Sequence, residues 1–156
     1  MIFEKLTTLL ENENAQFRVV EHLAEGNSER VAEIRGTEVG QGAKAMLCQV
    51  KENPNFLILA ILPGDKKIDF KKLARVVGCK KASFAPPEAA MNETGCVIGA
   101  IPPFSFSDNI KLVADPELFA RYDEIAFNAG LLDKSIIMNS SDYTRIAKPL
   151  LSEISS

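Results

Sequence analysis

Two apolar runs, Ala45 to Val50 and Phe56 to Leu62, stand only five residues apart, and the interval Lys51-Glu52-Asn53-Pro54-Asn55 is rich in turn formers. Short apolar runs bounded in this way read as neighbouring strands joined by a tight reversal. The pair predicts an antiparallel hairpin at the centre of a sheet, and its side chains are expected to make the core.

The rest of the chain supplies elements to surround that hairpin. Ile2, Leu6, Leu9 and Leu10 fall at helical spacing within residues 2 to 13, and Phe17 to Val20 reads as a short strand. Ser28 is placed to cap a helix over Glu29 to Arg35 that Gly36 stops, and Asp69 to cap another through Val77, closed by Gly78. Lys81 to Phe84 reads as a strand, Pro86-Pro87 opens a helix to about Glu93, and Gly95 ends it. Ile110 to Ala114, Glu124 to Phe127 and Ser135 to Met138 are further strands, and Ser141 is placed to cap a last helix over Asp142 to Ala147, before Pro149. The fold class is α/β of the α+β kind, a mixed, largely antiparallel sheet surrounded by helices. Strict βαβ alternation, internal repeats and a Pro/Gly/Ser-rich linker are absent, so the 156 residues are expected to form one domain, 1–156.

Composition narrows the function classes. Hydrophobic residues at 46% and charged residues at 25% suit a globular chain, and no apolar run approaches the roughly 20 residues that span a bilayer. No membrane partner is expected. Met1-Ile2-Phe3-Glu4-Lys5 lacks a signal-peptide pattern, which makes the cytoplasm the expected compartment. Cys48, Cys79 and Cys96 are odd in number and widely spaced, which predicts reduced thiols rather than a disulfide framework. The net charge of −3 argues against a long phosphate-gripping footprint, and DNA is not an expected partner. One basic stretch, Lys66, Lys67, Lys71, Lys72, Arg75, Lys80 and Lys81, contains only Asp69 as an acid; it reads as a solvated helix face or as a local surface for nucleic acid.

HExxH, Walker, GxSxG and GxGxxG signatures are missing, and neither a metal nor a cofactor is expected. His22, the single histidine, follows the first strand; it would have to carry any Ser-His-Asp or Cys-His chemistry alone, and a lone histidine also serves packing or hydrogen bonding. Gly40-Gln41-Gly42-Ala43-Lys44 combines glycines, which let backbone approach a ligand, with a lysine entering an apolar strand. Such a lysine either meets an anion or carbonyl dipole in a site or snorkels to water. Gly99-Ala100-Ile101-Pro102-Pro103-Phe104 is stiffened by consecutive prolines and is expected to present carbonyl oxygens not committed to a sheet, as the wall of a site or as a connector.

At these two loops the chain resembles the YbaK/prolyl-tRNA synthetase editing-domain family of aminoacyl-tRNA deacylases. Gly40 through Leu47 resembles the family segment ending in its essential lysine, with Lys44 in that place, and Gly99 to Pro103 fits the family's GxxxP loop. His22, Thr94-Gly95-Cys96, Ala114-Asp115-Pro116 and Phe127-Asn128-Ala129-Gly130 follow in family order, over residues 3 to 148. EIRGTEVGQGAKA, TGCVIGAIPPFSF and DEIAFNAGLLDKS resemble the stand-alone YeaK-type branch, whose members act in trans.

The resemblance implies hydrolysis of the ester between a small amino acid, serine or alanine favoured, and the 3'-terminal adenosine of a mischarged tRNA. It implies no protein nucleophile: the terminal ribose hydroxyl helps activate water, while Lys44 and the loop Gly99, Ala100, Ile101, Pro102 and Pro103 position the substrate. His22, Met46 and Asn128 are substrate-binding candidates by family position, each equally suited to core packing. The partner implied is the tRNA acceptor end, with a synthetase or elongation factor holding the remainder. Two rivals stay open: a non-catalytic aminoacyl- or nucleotide-binding regulatory module of the same fold, and a cysteine enzyme using Cys48 or Cys96 with His22.

Overall fold

The computed structural model describes residues 1–156, apart from the side chain of Pro54. In chain order the elements are α1 (Ile2–Asn12), β1 (Phe17–Glu21), α2 (Ser28–Arg35), a 3-10 turn (Val39–Gln41), β2 (Ala43–Val50), β3 (Asn53–Pro63), α3 (Phe70–Val77), β4 (Ala82–Phe84), α4 (Pro87–Thr94), β5 (Ile110–Ala114), α5 (Glu117–Arg121), β6 (Glu124–Leu131), β7 (Lys134–Asn139), α6 (Ser140–Ala147) and β8 (Leu150–Leu151).

The strands are mixed in direction and largely antiparallel, and they divide into two sheets. One has the order β1-β7-β6, antiparallel throughout; the other has the order β4-β2-β3-β5-β8, antiparallel across β4-β2-β3 and parallel across β3-β5-β8. The β2–β3 hairpin lies at the centre of the five-stranded sheet, with Lys44 opposite Leu62 and Met46 opposite Ala60. Both faces of β3 are covered. Leu57, Leu59 and Ile61 point into a cluster with Leu6, Leu10, Phe127, Ile136 and Tyr143, whereas Ile58 and Ala60 face Leu73, Ala74, Val113 and Ile154. Burial on both sides is why this strand is a continuous apolar run rather than an alternating one.

Helix ends follow local chemistry, with two shifts from the sequence reading. Asp69 caps α3 by accepting from the amides of Lys71 and Lys72, and Gly36, Gly78 and Gly95 adopt the left-handed conformation that ends α2, α3 and α4. Asn27 rather than Ser28 caps α2, accepting from Glu29 and Arg30 at 3.0 and 3.1 Å, and Asn139 rather than Ser141 caps α6, accepting from Asp142 at 2.9 Å. In both places an asparagine lies one or two residues upstream of the serine, and its carbonyl reaches the first free amides, so the helix starts earlier.

α5 and β8 were not apparent from periodicity, and a buried side chain organises both. Asp115 accepts from the amides of Glu117 at 3.0 Å, Ile154 at 3.0 Å and Ser155 at 3.1 Å, so it tethers the carboxy-terminal segment beside the start of α5. Burial pushes this carboxyl up, but the amide donors outweigh it and hold it below the ordinary aspartate value. No helix is long and apolar enough to cross a membrane.

Candidate active site

The two sheets touch where Gly42, just before β2, bridges Ala126 of β6 in parallel. Beside this junction lies a cavity of about 280 Å³, lined by the start of α2, the beginning of β2, the loop at Ile98 to Ile101 and β6. Lys44, Met46, Gly99, Ile101 and Asn128, all singled out from sequence, share its walls. His22, Ala100, Pro102 and Pro103 are not among the lining residues.

Lys44 is half-buried, and its Nζ donates to the backbone carbonyl of Lys66. Loss of hydration lowers its pKa below that of an ordinary lysine; nearby Asp65 raises it and Lys67 lowers it further. The same side chain borders a second depression that contains Asp65, Lys66 and Lys67. The glycines ahead of it have different uses. Gly42 lines the cavity, but a Cβ on Gly40 would run into the ion pair between Arg121 and Asp65, so the space at Gly40 goes to protein rather than ligand.

The loop after α4 is held from behind. Gly99 has φ +91° in a turn closed by the Ala100 amide on the Val97 carbonyl at 3.0 Å, and its Cα packs against Gly26, where a Cβ would lie 3.2 Å from the Gly26 Cα. The carbonyls expected to stand free are occupied. Gly99 O accepts from Asn128 Nδ2 at 2.9 Å, Ala100 O from the Gly130 amide at 2.8 Å, Pro102 O from Phe104 N at 2.8 Å, and Pro103 O from the Tyr143 hydroxyl at 2.6 Å. Buried carbonyls require donors, and the surrounding elements supply them. Tyr143 is fully buried, stacked near Phe119 and edge-on to Phe104, and burial pushes its phenol pKa up, so it remains a donor. The prolines thus anchor the loop to the core, and Gly99 and Ile101 face the cavity.

A polar network that the sequence did not disclose closes the β6 end. Asn128 Nδ2 donates to both Glu25 O and Gly99 O at 2.9 Å, and its Oδ1 accepts from Arg35 Nη2 at 3.0 Å. Arg35 Nε donates to Ser135 Oγ at 2.7 Å, and Ser135 Oγ lies 2.7 Å from His22 Nε2, whose Nδ1 is 2.7 Å from Leu23 O. Nδ1 donates to that carbonyl, which can only accept, and the Ser135 hydroxyl also donates to Asn128 Oδ1 at 3.0 Å. His22 therefore acts behind the wall, through Ser135. Arg35 ends α2 and reads in the sequence as an ordinary basic residue at a helix C-terminus; the one local hint is its place next to Gly36.

Among the described residues lining the cavity there is no Cys, His, Asp or Glu. Cys48 is wholly buried and its thiol is pushed up to about 12 by burial; burial also raises Cys96. Neither thiol touches His22, whose ring nitrogens meet Leu23 and Ser135. The basic stretch is divided. Lys66 and Lys67 stand beside Lys44, Lys72 pairs with Glu153 at 2.8 Å, and Lys80 and Lys81 lie by the β2–β3 turn, where the Lys80 amide donates to Glu52 and Lys81 O accepts from Lys51 N.

The cavity between the two sheets is thus walled by a desolvated lysine and a glycine turn, the two segments that carry the resemblance to the aminoacyl-tRNA deacylases. The chain belongs to the aminoacyl-tRNA editing domain family, whose model matches residues 24–146. It is 56% identical over 149 residues, 95% of this chain and 89% of the relative, to the multifunctional Ser/Thr-tRNA deacylase ProXp-y of Escherichia coli (strain K12). It is 29% identical over 87 residues, 56% of this chain and 15% of the relative, to the proline–tRNA ligase of Thermosipho melanesiensis. Its fold superposes with a TM-score of 0.83 at 22% identity on a crystal structure provisionally designated a trans-editing enzyme for prolyl tRNA synthetase, covering 99% of this chain and 96% of the other.

Proposed function

We propose that this protein removes serine or threonine from mischarged tRNA in trans, with Lys44 and the Gly99–Ile101 turn holding the acceptor end. The observation that carries this reading is the placement of Lys44 in one cavity wall and Gly99 in another, in a cavity lined by no histidine, carboxylate or thiol. The 56% identical relative is a Ser/Thr-tRNA deacylase, which supports serine and threonine in place of the alanine that the sequence reading favoured alongside serine.

In the reaction a water oxygen bonds to the ester carbonyl carbon, the bond to the ribose oxygen breaks, and a proton passes to that oxygen, giving free amino acid and tRNA. The neighbouring ribose hydroxyl of the substrate assists the water. The protein contributes alignment and charge. The Lys44 ammonium faces the terminal phosphate or the ester carbonyl, and the turn at Gly99, made rigid through Asn128, Gly130 and Tyr143, orients ribose and water. Pro102 and Pro103 serve by holding the turn, and His22 and Asn128 by bracing the cavity wall. A synthetase or elongation factor holding the tRNA body fits a chain of net charge −3.

The test is release of labelled amino acid from tRNAs charged with serine, threonine, alanine, cysteine and proline. Wild type is expected to release serine and threonine fastest, and Lys44→Ala to lose at least about 100-fold of that rate, the scale of one well-placed electrostatic contact. Wild-type turnover by a folded Lys44→Ala protein, or no release from any substrate, would overturn the reading.

A further inference from the structure

Arg35 has more donors than the protein uses. A guanidinium carries five N–H groups. Nε donates to Ser135 and one Nη2 hydrogen to Asn128, and among the described residues no carboxylate forms an ion pair with Arg35. Burial alone lowers its pKa to about 10, with no neighbouring anion to raise it. Yet the side chain lines the cavity, and its Nη1 lies 3.9 Å from where a Cβ would sit on Gly42, another lining residue. Asn128 and Ser135, both buried, fix the plane of the guanidinium.

From this geometry we infer that Arg35 is a specificity-determining residue that donates a hydrogen bond to the side-chain oxygen of the aminoacyl group. The inference rests on the deacylase reading above and adds the residue that selects the substrate. The acceptors near the scissile bond are the phosphodiester, the ribose hydroxyls, the ester carbonyl and any oxygen on the aminoacyl side chain. The phosphodiester belongs with Lys44, Lys66 and Lys67, which border the second depression. The ester carbonyl and ribose are held at Lys44 and the Gly99 turn, and the α-ammonium has no lone pair with which to accept from Arg35. The aminoacyl side chain remains, surrounded by Val31, Met46, Ile101 and Phe127, and an oxygen on it is the acceptor that the spare N–H groups lack. A site that leaves a buried donor unpaired rejects the analogue without the hydroxyl far more strongly than an apolar pocket rejects a missing methylene.

The experiment compares seryl-tRNA with 2-aminobutyryl-tRNA, which replaces the hydroxyl by a methyl of similar size, in wild type, Arg35→Lys and Arg35→Met. Wild type is expected to prefer the seryl ester by about 10- to 100-fold in kcat/KM, the range for a hydrogen bond from a charged donor. Arg35→Met is expected to slow seryl hydrolysis at least about tenfold more than 2-aminobutyryl hydrolysis, so that the preference is lost, and Arg35→Lys to retain part of it. Equal losses on both esters, or a wild type that does not discriminate between them, would overturn the inference; the second outcome does so whether or not the variants fold. Wild type that releases neither amino acid would instead overturn the deacylase reading on which the inference depends.

Discussion

The side-chain amide of Asn128 donates to the carbonyl of Gly99 at 2.9 Å, tying the middle of β6 to the turn that walls the cavity. The same nitrogen also holds Glu25 O, and the oxygen accepts from Arg35, so one residue joins three segments that meet only in the folded chain. Asn128→Ala would strand two carbonyls, one guanidinium donor and the Ser135 hydroxyl. It is expected to cost about 2–4 kcal/mol of stability in urea denaturation and to lower kcat/KM by more than tenfold. Full activity with an unchanged denaturation midpoint would show that the turn is held without it.

Gly99 is a second sensitive point. Its φ of +91° is strained for any residue with a side chain, and a Cβ would press on Gly26 at 3.2 Å. Gly99→Ala is expected to lower stability by about 1–3 kcal/mol, as strained backbone positions do, and to reduce turnover more than Gly78→Ala. Gly78 also has positive φ, but nothing lies within 4 Å of a Cβ there, so it is a control for backbone strain alone.

The depressed pKa of Lys44 gives two opposite pH trends. A lysine whose folded pKa lies below its unfolded one binds fewer protons when folded; it subtracts stability below the folded value, and that penalty fades as pH rises from the folded towards the unfolded pKa. Catalysis needs the ammonium, so kcat/KM, corrected for uncatalysed ester hydrolysis, is expected to fall on the alkaline side with a midpoint below 10.5, the ordinary lysine value. In Lys44→Met that alkaline limb should disappear along with most activity, while the melting temperature at neutral pH stays within a few degrees of wild type.

Few phosphates should be gripped. Lys44, Lys66 and Lys67 cluster at the site, with Lys66 3.9 Å from Glu117 in a looser pair than the 2.8 Å of Lys72 and Glu153, and Lys80 and Lys81 lie by the β2–β3 turn. Three contacts to a single-stranded acceptor end, at about −0.7 each, give a log–log salt slope of about −2 for kcat/KM. The double variant Lys66→Glu and Lys67→Glu is expected to flatten that slope and raise KM with little change in kcat. A slope several-fold steeper would mean a longer tRNA footprint than these lysines provide.

The parts legible in the sequence are those encoded by near neighbours. Two apolar runs about a polar reversal produced β2 and β3, and Asp69 with Gly78 bounded α3. Lys44 among apolar strand residues and the proline-stiffened loop at Gly99 marked two walls of the cavity. Where the local reading slipped, as at Ser28 and Ser141, the competitor was an asparagine one or two residues away with the same capping chemistry. β8 was not legible, because the Asp115 carboxylate that holds its segment lies 39 and 40 positions from the amides it accepts, and α5, at 5 residues, is too short to show a helical period.

By itself, then, the sequence determined the hairpin core, the glycine-stopped helix ends and the Lys44 and Gly99 segments that wall the cavity, since each depends on spacing within a few residues along the chain. Only the tertiary structure decided that the strands split into two sheets, that the loop carbonyls are taken, that His22 stands behind the wall, and that Arg35 enters it. Arg35 meets its partners across 93 and 100 positions of sequence, and His22 meets Ser135 across 113. No periodicity records such pairings, because they come from the packing of one sheet against another and from the need of buried polar groups to find partners.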